Sequence, residues 1–384
     1  MSEYQYYEFQ AVDRPLTKKQ MDELRKYSSR AQITPNRFVN VYNYGDFRGK
    51  PSALVEEYFD AFLYLANWGT RWLMLRLSRA LFDPETAAPY VGDEFFTCRQ
   101  KGDYVILSFR SEPQDYDDYE WCGEEGCLSS LVPLRVDLLR GDLRALYLGW
   151  LLALQSAEFE DDELEPPVPP GLGELNASLV QLADFLRIDA DLVAAAAERS
   201  GRFRDEALSK EELDGWLSKM AVDEKDALLA RLIASDSALP AAEIRLRAQR
   251  EIRGEIGRPV LSGRSASQLE EHADILLEER ERKEDEERAR EKAKRQREAA
   301  EAKKKHLESL IGKEETLWSE VDRLIATRQS NRYDQAIIHL RDLHDLSQMQ
   351  GELSQFSAKM RRLAAEHERK PSLLQRLRKA GLLE

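Results

Sequence analysis

From residue 4 to residue 11 the chain runs aromatic and β-prone, and Arg14-Pro15-Leu16-Thr17 breaks the run before Thr17 caps a helix through Met21, Leu24 and Tyr27. A second extended stretch, Arg37-Phe38-Val39-Asn40-Val41-Tyr42, ends at Gly45. Ser52 is then placed to cap an amphipathic helix through Leu54, Val55, Tyr58, Phe59, Phe62 and Leu65, and residues 71–77 read as a strand. Residues 95–100 and 104–109 alternate around Lys101-Gly102-Asp103, a Gly-containing short loop of the kind that joins antiparallel strands. Helix resumes over 131–154, with Pro133 near its start and Gly141 dividing it. The pattern predicts an α+β domain over 1–157.

Residues 158–173 are acidic and Pro-rich, can neither build a strand ladder nor continue a helix, and predict a linker. Beyond them apolar residues recur at helical spacing over 175–185, 190–198, 223–233 and 240–252, and Ser209 with Glu212 three residues on opens a further helix through Leu213, Trp216, Leu217 and Met220. These predict a helical bundle over 174–263, closed by Gly254, Gly257 and Gly263.

A long charged helix over 264–308 follows. Glu278 precedes Arg282 by four positions, as Glu279 does Lys283, Glu284 Arg288, Glu286 Arg290, Glu291 Arg295 and Glu301 Lys305. Acid before base at i,i+4 contributes roughly 0.2–0.5 kcal/mol per pair to an isolated helix. About 40 residues at ~1.5 Å each span ~60 Å, which predicts a rigid spacer between whatever folds on either side. A coiled coil needs apolar a and d positions over three or four heptads. Leu269, Ala273, Leu276 and Leu277 begin such a seam, but Arg280, Glu284, Glu287, Arg290 and Lys294 continue it, leaving Ala289, Ala293 and Ala300 for a weak Ala-lined alternative.

After it, Leu310, Leu317, Val321 and Leu324 share one helical face, Tyr333, Ala336, Ile337 and Leu340 a second, and Leu353, Phe356, Met360 and Leu363 a third, with Pro371-Ser372 opening a last short helix. The segment from Asn331 to Ile337 looks like the start of the second helix of a tetratricopeptide-type pair, but a single unit without a 34-residue period predicts a helical hairpin in a small C-terminal domain over 309–384. The fold class expected is therefore an α+β N-terminal domain, an all-α bundle, a long charged helix and a small C-terminal helical domain, mainly α overall.

Charge changes this picture only locally. The 384 residues carry a formal net charge of −14, and residues 81–170 hold 20 Asp and Glu against 6 Lys and Arg, whereas residues 1–80 hold 12 Lys and Arg against 9 acids. An acidic chain is a poor generic nucleic-acid binder, yet the mildly basic first module and a basic final segment (Lys359, Arg361, Arg362, Arg369, Lys370, Arg376, Arg378, Lys379) could each touch an acidic partner. The first ten residues show neither a basic region nor an apolar core of a secretory signal, and three cysteines fit a reducing compartment, so a cytoplasmic location is expected. The longest apolar run, 145–154, is too short to cross a bilayer, and no membrane partner is expected.

Candidate chemistry is sparse. All five histidines (His272, His306, His339, His344, His367) lie at or beyond the start of the charged helix, which excludes imidazole-activated nucleophiles and His-ligated metals from the first domain. His339 and His344 are five apart, the wrong spacing for a zinc helix. Cys122-Gly-Glu-Glu-Gly-Cys127 lacks a second ligand pair, and the acidic run 115–125 lacks the calcium-loop pattern. The stretch from Gly45 through Gly49, Lys50 and Pro51 to Ser52 is one residue short of a phosphate loop and has Pro51 where Ser or Thr should follow Lys, so it reads as a turn and a helix start. No catalytic, cofactor-binding or metal residues are assigned and no cofactor is expected; an enzyme is the least supported reading. An aromatic and basic set within the first domain offers candidate nucleic-acid contacts at Arg37, Phe38, Tyr42 and Arg48, although alternation predicts that half of its rings fill the core. Candidate partner-binding residues are Tyr333, His339, Arg361 and Arg362.

The opening Tyr6-Tyr7-Glu8-Phe9-Gln10-Ala11 with Asp13-Arg14-Pro15-Leu16, the segment Phe62-Leu63-Tyr64-Leu65-Ala66-Asn67-Trp68-Gly69 and Phe185-Leu186-Arg187-Ile188-Asp189 resemble a group of bacterial proteins with no assigned activity. That resemblance covers most of the chain and implies no reaction. From Tyr333-Asp334 through Lys370-Pro371-Ser372-Leu373-Leu374 the ending is similar to helical tails of some bacterial SWIM-type zinc-finger proteins, but the finger's Cys-x-Cys and Cys-x-His pairs are absent, so no zinc function transfers. The expected function is a non-enzymatic adaptor or scaffold joining protein partners across a rigid charged helix, with a nucleic-acid-associated component as the alternative and the oligomeric state open.

Overall fold

A computed structural model describes residues 3–92, 94–112, 127–157, 159, 162–203, 208–234, 239–253 and 261–383. The chain divides into two compact units, Met1–Arg280 and Glu281–Glu384, each with its own core. The expected class holds: an antiparallel sheet in an α+β N-terminal region, followed by helices that make the molecule mainly α.

In the first unit, β1 (Gln5–Gln10), β2 (Gln32–Thr34), β3 (Arg37–Tyr42), β4 (Ala61–Ala66), β5 (Arg71–Ser78), β6 (Phe96–Lys101) and β7 (Tyr104–Ser111) form one sheet in the order β2-β3-β1-β4-β5-β7-β6. Every pairing is antiparallel, and the register sets Phe9 opposite Phe38 on one side and Phe62 on the other. Because successive side chains point to opposite faces, the strands supply two cores. Tyr7, Phe9, Phe38, Phe62, Tyr64 and Met74 face Leu24 of α1 (Lys18–Leu24) and Leu54 and Val55 of α2 (Pro51–Glu57). Leu63, Leu65, Leu73, Leu75, Val105 and Leu107 face the opposite way. That second face is covered by α3 (Cys127–Leu131), α4 (Pro133–Leu139), α5 (Arg144–Ser156), α6 (Ala177–Leu186) and α7 (Ala190–Ala197). Helix α5 is buried at every position from Arg144 to Leu154, as its continuous apolar run requires.

The local signals at helix starts hold where side chains can act alone. Thr17 and Gln20 form a capping box on α1, and Ser209 and Glu212 form another on α8 (Lys210–Lys219). The helix expected to run from Ser52 through Leu65 forms only in its first part. Lys50 is its N-cap with Pro51 at the first turn, it ends at Glu57, and Ala61–Ala66 is the central strand β4. All six β4 residues are buried because Ala61, Leu63 and Leu65 serve one core and Phe62, Tyr64 and Ala66 the other. A run that is apolar at every position carries no period, so its pairing with β1 and β5 decided the outcome.

The segment expected to be a linker is also different. Among its described residues, Glu165, Val168 and Leu172 are each 2% exposed, and Val168 and Leu172 join the larger core. Proline forbids helix there, but it does not forbid packing. The backbone at Glu163 and Glu165 pairs with Arg264 and Ala266, and the Tyr90 hydroxyl donates to the Pro167 carbonyl at 2.7 Å. The bundle expected over 174–263 is split as well: α6 and α7 complete the sheet's core, while α8, α9 (Val222–Ala234) and α10 (Leu239–Arg253) gather around Trp216, Met220 and Ala248.

Helix α11 (Ala266–Leu310) is continuous over 45 residues, about 68 Å at 1.5 Å each. Ala266, Leu269 and Ala273 lie in the first unit's core, and every residue from 278 to 306 is exposed. Ion pairs recorded along it include Asp285–Arg288, Lys294–Glu298 and Lys304–Glu308, the last two with base before acid. In the second unit α12 (Glu314–Ala326), α13 (Ser330–Gln350), α14 (Leu353–Glu366) and α15 (Pro371–Lys379) enclose Val321, Ile325, Ala336, Leu340, Met360, Leu373 and Leu377. Gly351 ends α13 at φ 77°, a left-handed cap that glycine adopts without steric cost.

Candidate functional site

The first unit holds several buried ionisable clusters, and their geometry decides whether they can act on a ligand. Asp60, at the entrance to β4, accepts from the Arg76 guanidinium at 2.7 Å and from the backbone N–H groups of Val12 and Asp13 at 2.7 and 2.9 Å. Arg135 of α4 donates to both Asp13 oxygens at 3.1 and 2.7 Å and to the Arg76 carbonyl at 2.8 Å. Arg76 also lies 4.4 Å from the Tyr104 ring centroid. Burial works to raise the Asp60 carboxyl, but Arg135 and Arg76 outweigh it and hold the group below its ordinary value. Burial pushes Asp13 above its own, against the hydrogen bond from Arg135. Two arginines balance two carboxylates, so the cluster clasps strand, helix and N-terminal loop together.

Two further clusters have the same character. Glu8, wholly buried, accepts from the Tyr6 hydroxyl at 2.9 Å and from Arg37 at 2.6 Å. Glu165 accepts from Arg264 at 2.8 and 3.0 Å and from the Tyr147 hydroxyl. Burial first, and Glu165 second, push the Tyr147 phenol well above its ordinary value. Each of these carboxylates is committed to donors of the fold.

Three of the four candidate nucleic-acid contacts lie on β3 and Arg48 follows it in a loop, but they do not form one surface. Phe38 is fully buried, with its ring edge-on to Phe9 at 5.5 Å. Arg37 is 41% exposed at its side chain and spends its guanidinium on Glu8 and the Tyr6 hydroxyl. Tyr42 packs edge-on against Tyr7 at 5.9 Å and is half-buried, and Arg48 is exposed.

A cavity of about 550 Å³ opens among α8, α9, α10 and the end of α4, lined by Leu213, Trp216, Ile244, Ala248, Gln249 and Arg140. The Trp216 indole N–H donates to Glu251 at 2.7 Å, whereas the buried Gln249 Oε1 accepts no hydrogen bond from a described residue. Sequence periodicity marked Trp216 as core and gave no reason to single out Gln249.

In the second unit the four candidate partner-binding residues separate. Tyr333 is buried and lines a cavity of about 470 Å³ at the starts of α13 and α15. The remaining lining is Arg328, Ser330, Arg369, Lys370, Pro371 and Ser372. His339 is half-buried further along α13, and Arg361 and Arg362 are exposed on α14. Arg361 donates to the Ser357 carbonyl at 3.4 Å and Arg362 to Glu366 at 2.9 Å. The sequence flagged Arg369 and Lys370 as part of a basic tail but missed Arg328, Ser330 and Ser372. Their signal was an arginine shortly before a serine at each of two helix starts, some forty residues apart, and only folding joins the two.

Among the described residues no group of three His, Cys, Asp or Glu side chains could hold a metal ion, and no helix is long and apolar enough to cross a membrane. Cys122 and the acidic run 115–125 lie outside the described residues. No family model matches the chain, and neither does any curated protein or solved structure.

Proposed function

We propose that this chain is a non-enzymatic cytoplasmic adaptor whose two cored units each hold a protein partner and are joined through helix α11. The observation that carries this reading is the exposure of every residue from 278 to 306 within one continuous helix. A helix that buries no apolar stripe adds nothing to a core, and mixed charge keeps it solvated and helical. The buried carboxylates of the first unit are each tied to arginines or phenols of the fold, which suits a scaffold better than acid–base chemistry. The nucleic-acid reading has Arg48 and the outer part of Tyr42 to rest on, since Phe38 lies in the core and Arg37 serves Glu8.

The test is genetic and biochemical together. In the native host, removing 281–384 should cost one set of co-purifying proteins and removing 1–265 a different set. A seven-residue deletion inside 281–300, about two turns or ~10 Å, should leave each binary contact intact and impair function. Function unchanged by that deletion, or one and the same partner lost with either end, would overturn the adaptor reading.

A further inference from the structure

The cavity in the second unit is built from donors. Arg328 and Arg369 are exposed, and neither forms an ion pair with a described residue. Lys370 is half-buried, with its ammonium donating to the Ile325 carbonyl at 3.1 Å, which leaves two of its three protons for another acceptor. Ser330 accepts from Arg376 at its hydroxyl oxygen (2.7 Å) and at its carbonyl (2.6 Å), so its own hydroxyl proton is free to donate. Tyr333 is 6% exposed and lines the cavity, yet its hydroxyl makes no hydrogen bond to a described residue. A phenol so placed ordinarily finds a partner, and here Tyr333 belongs both to the second unit's core and to the lining of this cavity. Among the described residues no carboxylate belongs to the lining.

The backbone adds to the same field. Helix α13, 21 residues long, and helix α15, nine residues long, both begin at this cavity, and their N-caps, Gln329 and Lys370, supply no side-chain hydrogen bond to the first turn. Helix N-termini present unsatisfied N–H groups and partial positive charge. Three cationic side chains, two hydroxyl donors and two helix starts therefore surround one cavity of about 470 Å³, room for a tetrahedral oxyanion and the group it is attached to.

We propose that this cavity binds a phosphate monoester, with Arg328 and Arg369 as the principal charge partners, Lys370 as a third, and the Tyr333 and Ser330 hydroxyls donating to the remaining phosphate oxygens. Guanidinium groups match phosphate geometry in paired hydrogen bonds, and a dianion is the ligand that uses the most of these donors. The site stands or falls independently of the adaptor reading.

The experiment is calorimetric titration of the full chain with inorganic phosphate, O-phosphoserine, and a phosphoserine peptide beside its unphosphorylated form, at constant ionic strength. Saturable binding that requires the phosphate is the expected result. Equal affinity for O-phosphoserine and the peptide identifies a small phosphorylated molecule as the source, and a peptide at least ten-fold tighter identifies a phosphorylated side chain. Arg328→Gln and Arg369→Gln, both at exposed positions, should each weaken binding about ten-fold, the size expected for losing a charge-assisted hydrogen bond. Tyr333→Phe, which removes one oxygen and keeps the ring, should weaken it roughly three-fold within the same range for neutral donors. Arg362→Gln, at a residue outside the lining, should leave it unchanged. The proposal is overturned if none of the four probes binds saturably, if the unphosphorylated peptide binds as well as the phosphorylated one, or if Arg362→Gln weakens binding as much as Arg328→Gln.

Discussion

Asp60 shows how much one side chain can carry. It closes the N-terminal loop through the Val12 and Asp13 amides and meets Arg76 and Arg135 behind β4. Removing its charge leaves two arginines underneath the sheet with one carboxylate between them, so Asp60→Asn should cost about 3–5 kcal/mol in urea denaturation at pH 7. The pH dependence follows from the directions of the shifts. Asp60 is held below its ordinary value, so its contribution is fully present above that value and is lost as pH falls through the lower, folded one. Asp13 is raised and works in the opposite sense, its contribution fading as pH climbs from its ordinary value through the raised one. The wild-type denaturation midpoint should therefore drop in acid more steeply than that of Asp60→Asn. Parallel curves for the two proteins would show that the Asp60 charge is not what holds this corner.

At the scale of elements, α5 is set onto the sheet by a missing side chain. A Cβ at Gly149 would lie 2.7 Å from the Phe96 ring and 2.8 Å from that of Phe109, two rings stacked at 4.6 Å under the helix. Gly149→Ala gains helix propensity but must push α5 off buried aromatics, so it should destabilise the first unit by roughly 1–3 kcal/mol, as overpacking does. A stabilised variant would mean that the rings yield easily. Sequence periodicity expected helix over 131–154 with Pro133 near its start and a division at Gly141, which become α4 and α5, but it gave Gly149 no role because nothing in a linear chain says what lies across from it. The same blindness turned residues 61–66 into helix and the Pro-rich segment into a linker. In both, a decisive partner, β1 in one case and Arg264 in the other, sits far away in sequence.

For the whole molecule, two separate cores imply two separable stabilities. Ala293→Pro, placed in the exposed stretch of α11, carries about 3 kcal/mol of local helix penalty but touches neither core. It should lower the helical circular-dichroism signal while leaving both unfolding midpoints in place. Leu340→Ala, at a fully buried position, should instead lower only the second unit's transition, by about 2–5 kcal/mol. A single transition shifted by either variant would show the two cores to be one cooperative system.

What the sequence by itself determined are the features set by neighbours along the chain: the capping boxes at Thr17 and Ser209, the hairpin around Gly102, and the charged helix, all of which form where local patterning placed them. The order of strands, the role of β4, the packing of residues 162–172 and the meeting of Arg328 with Arg369 belonged to the tertiary structure. Caps, turns and i,i+4 pairs are decided within a few residues, so their energy is written in the local sequence. Sheet neighbours and cavity walls come from distant segments, and only burying them together supplies the free energy that selects one arrangement.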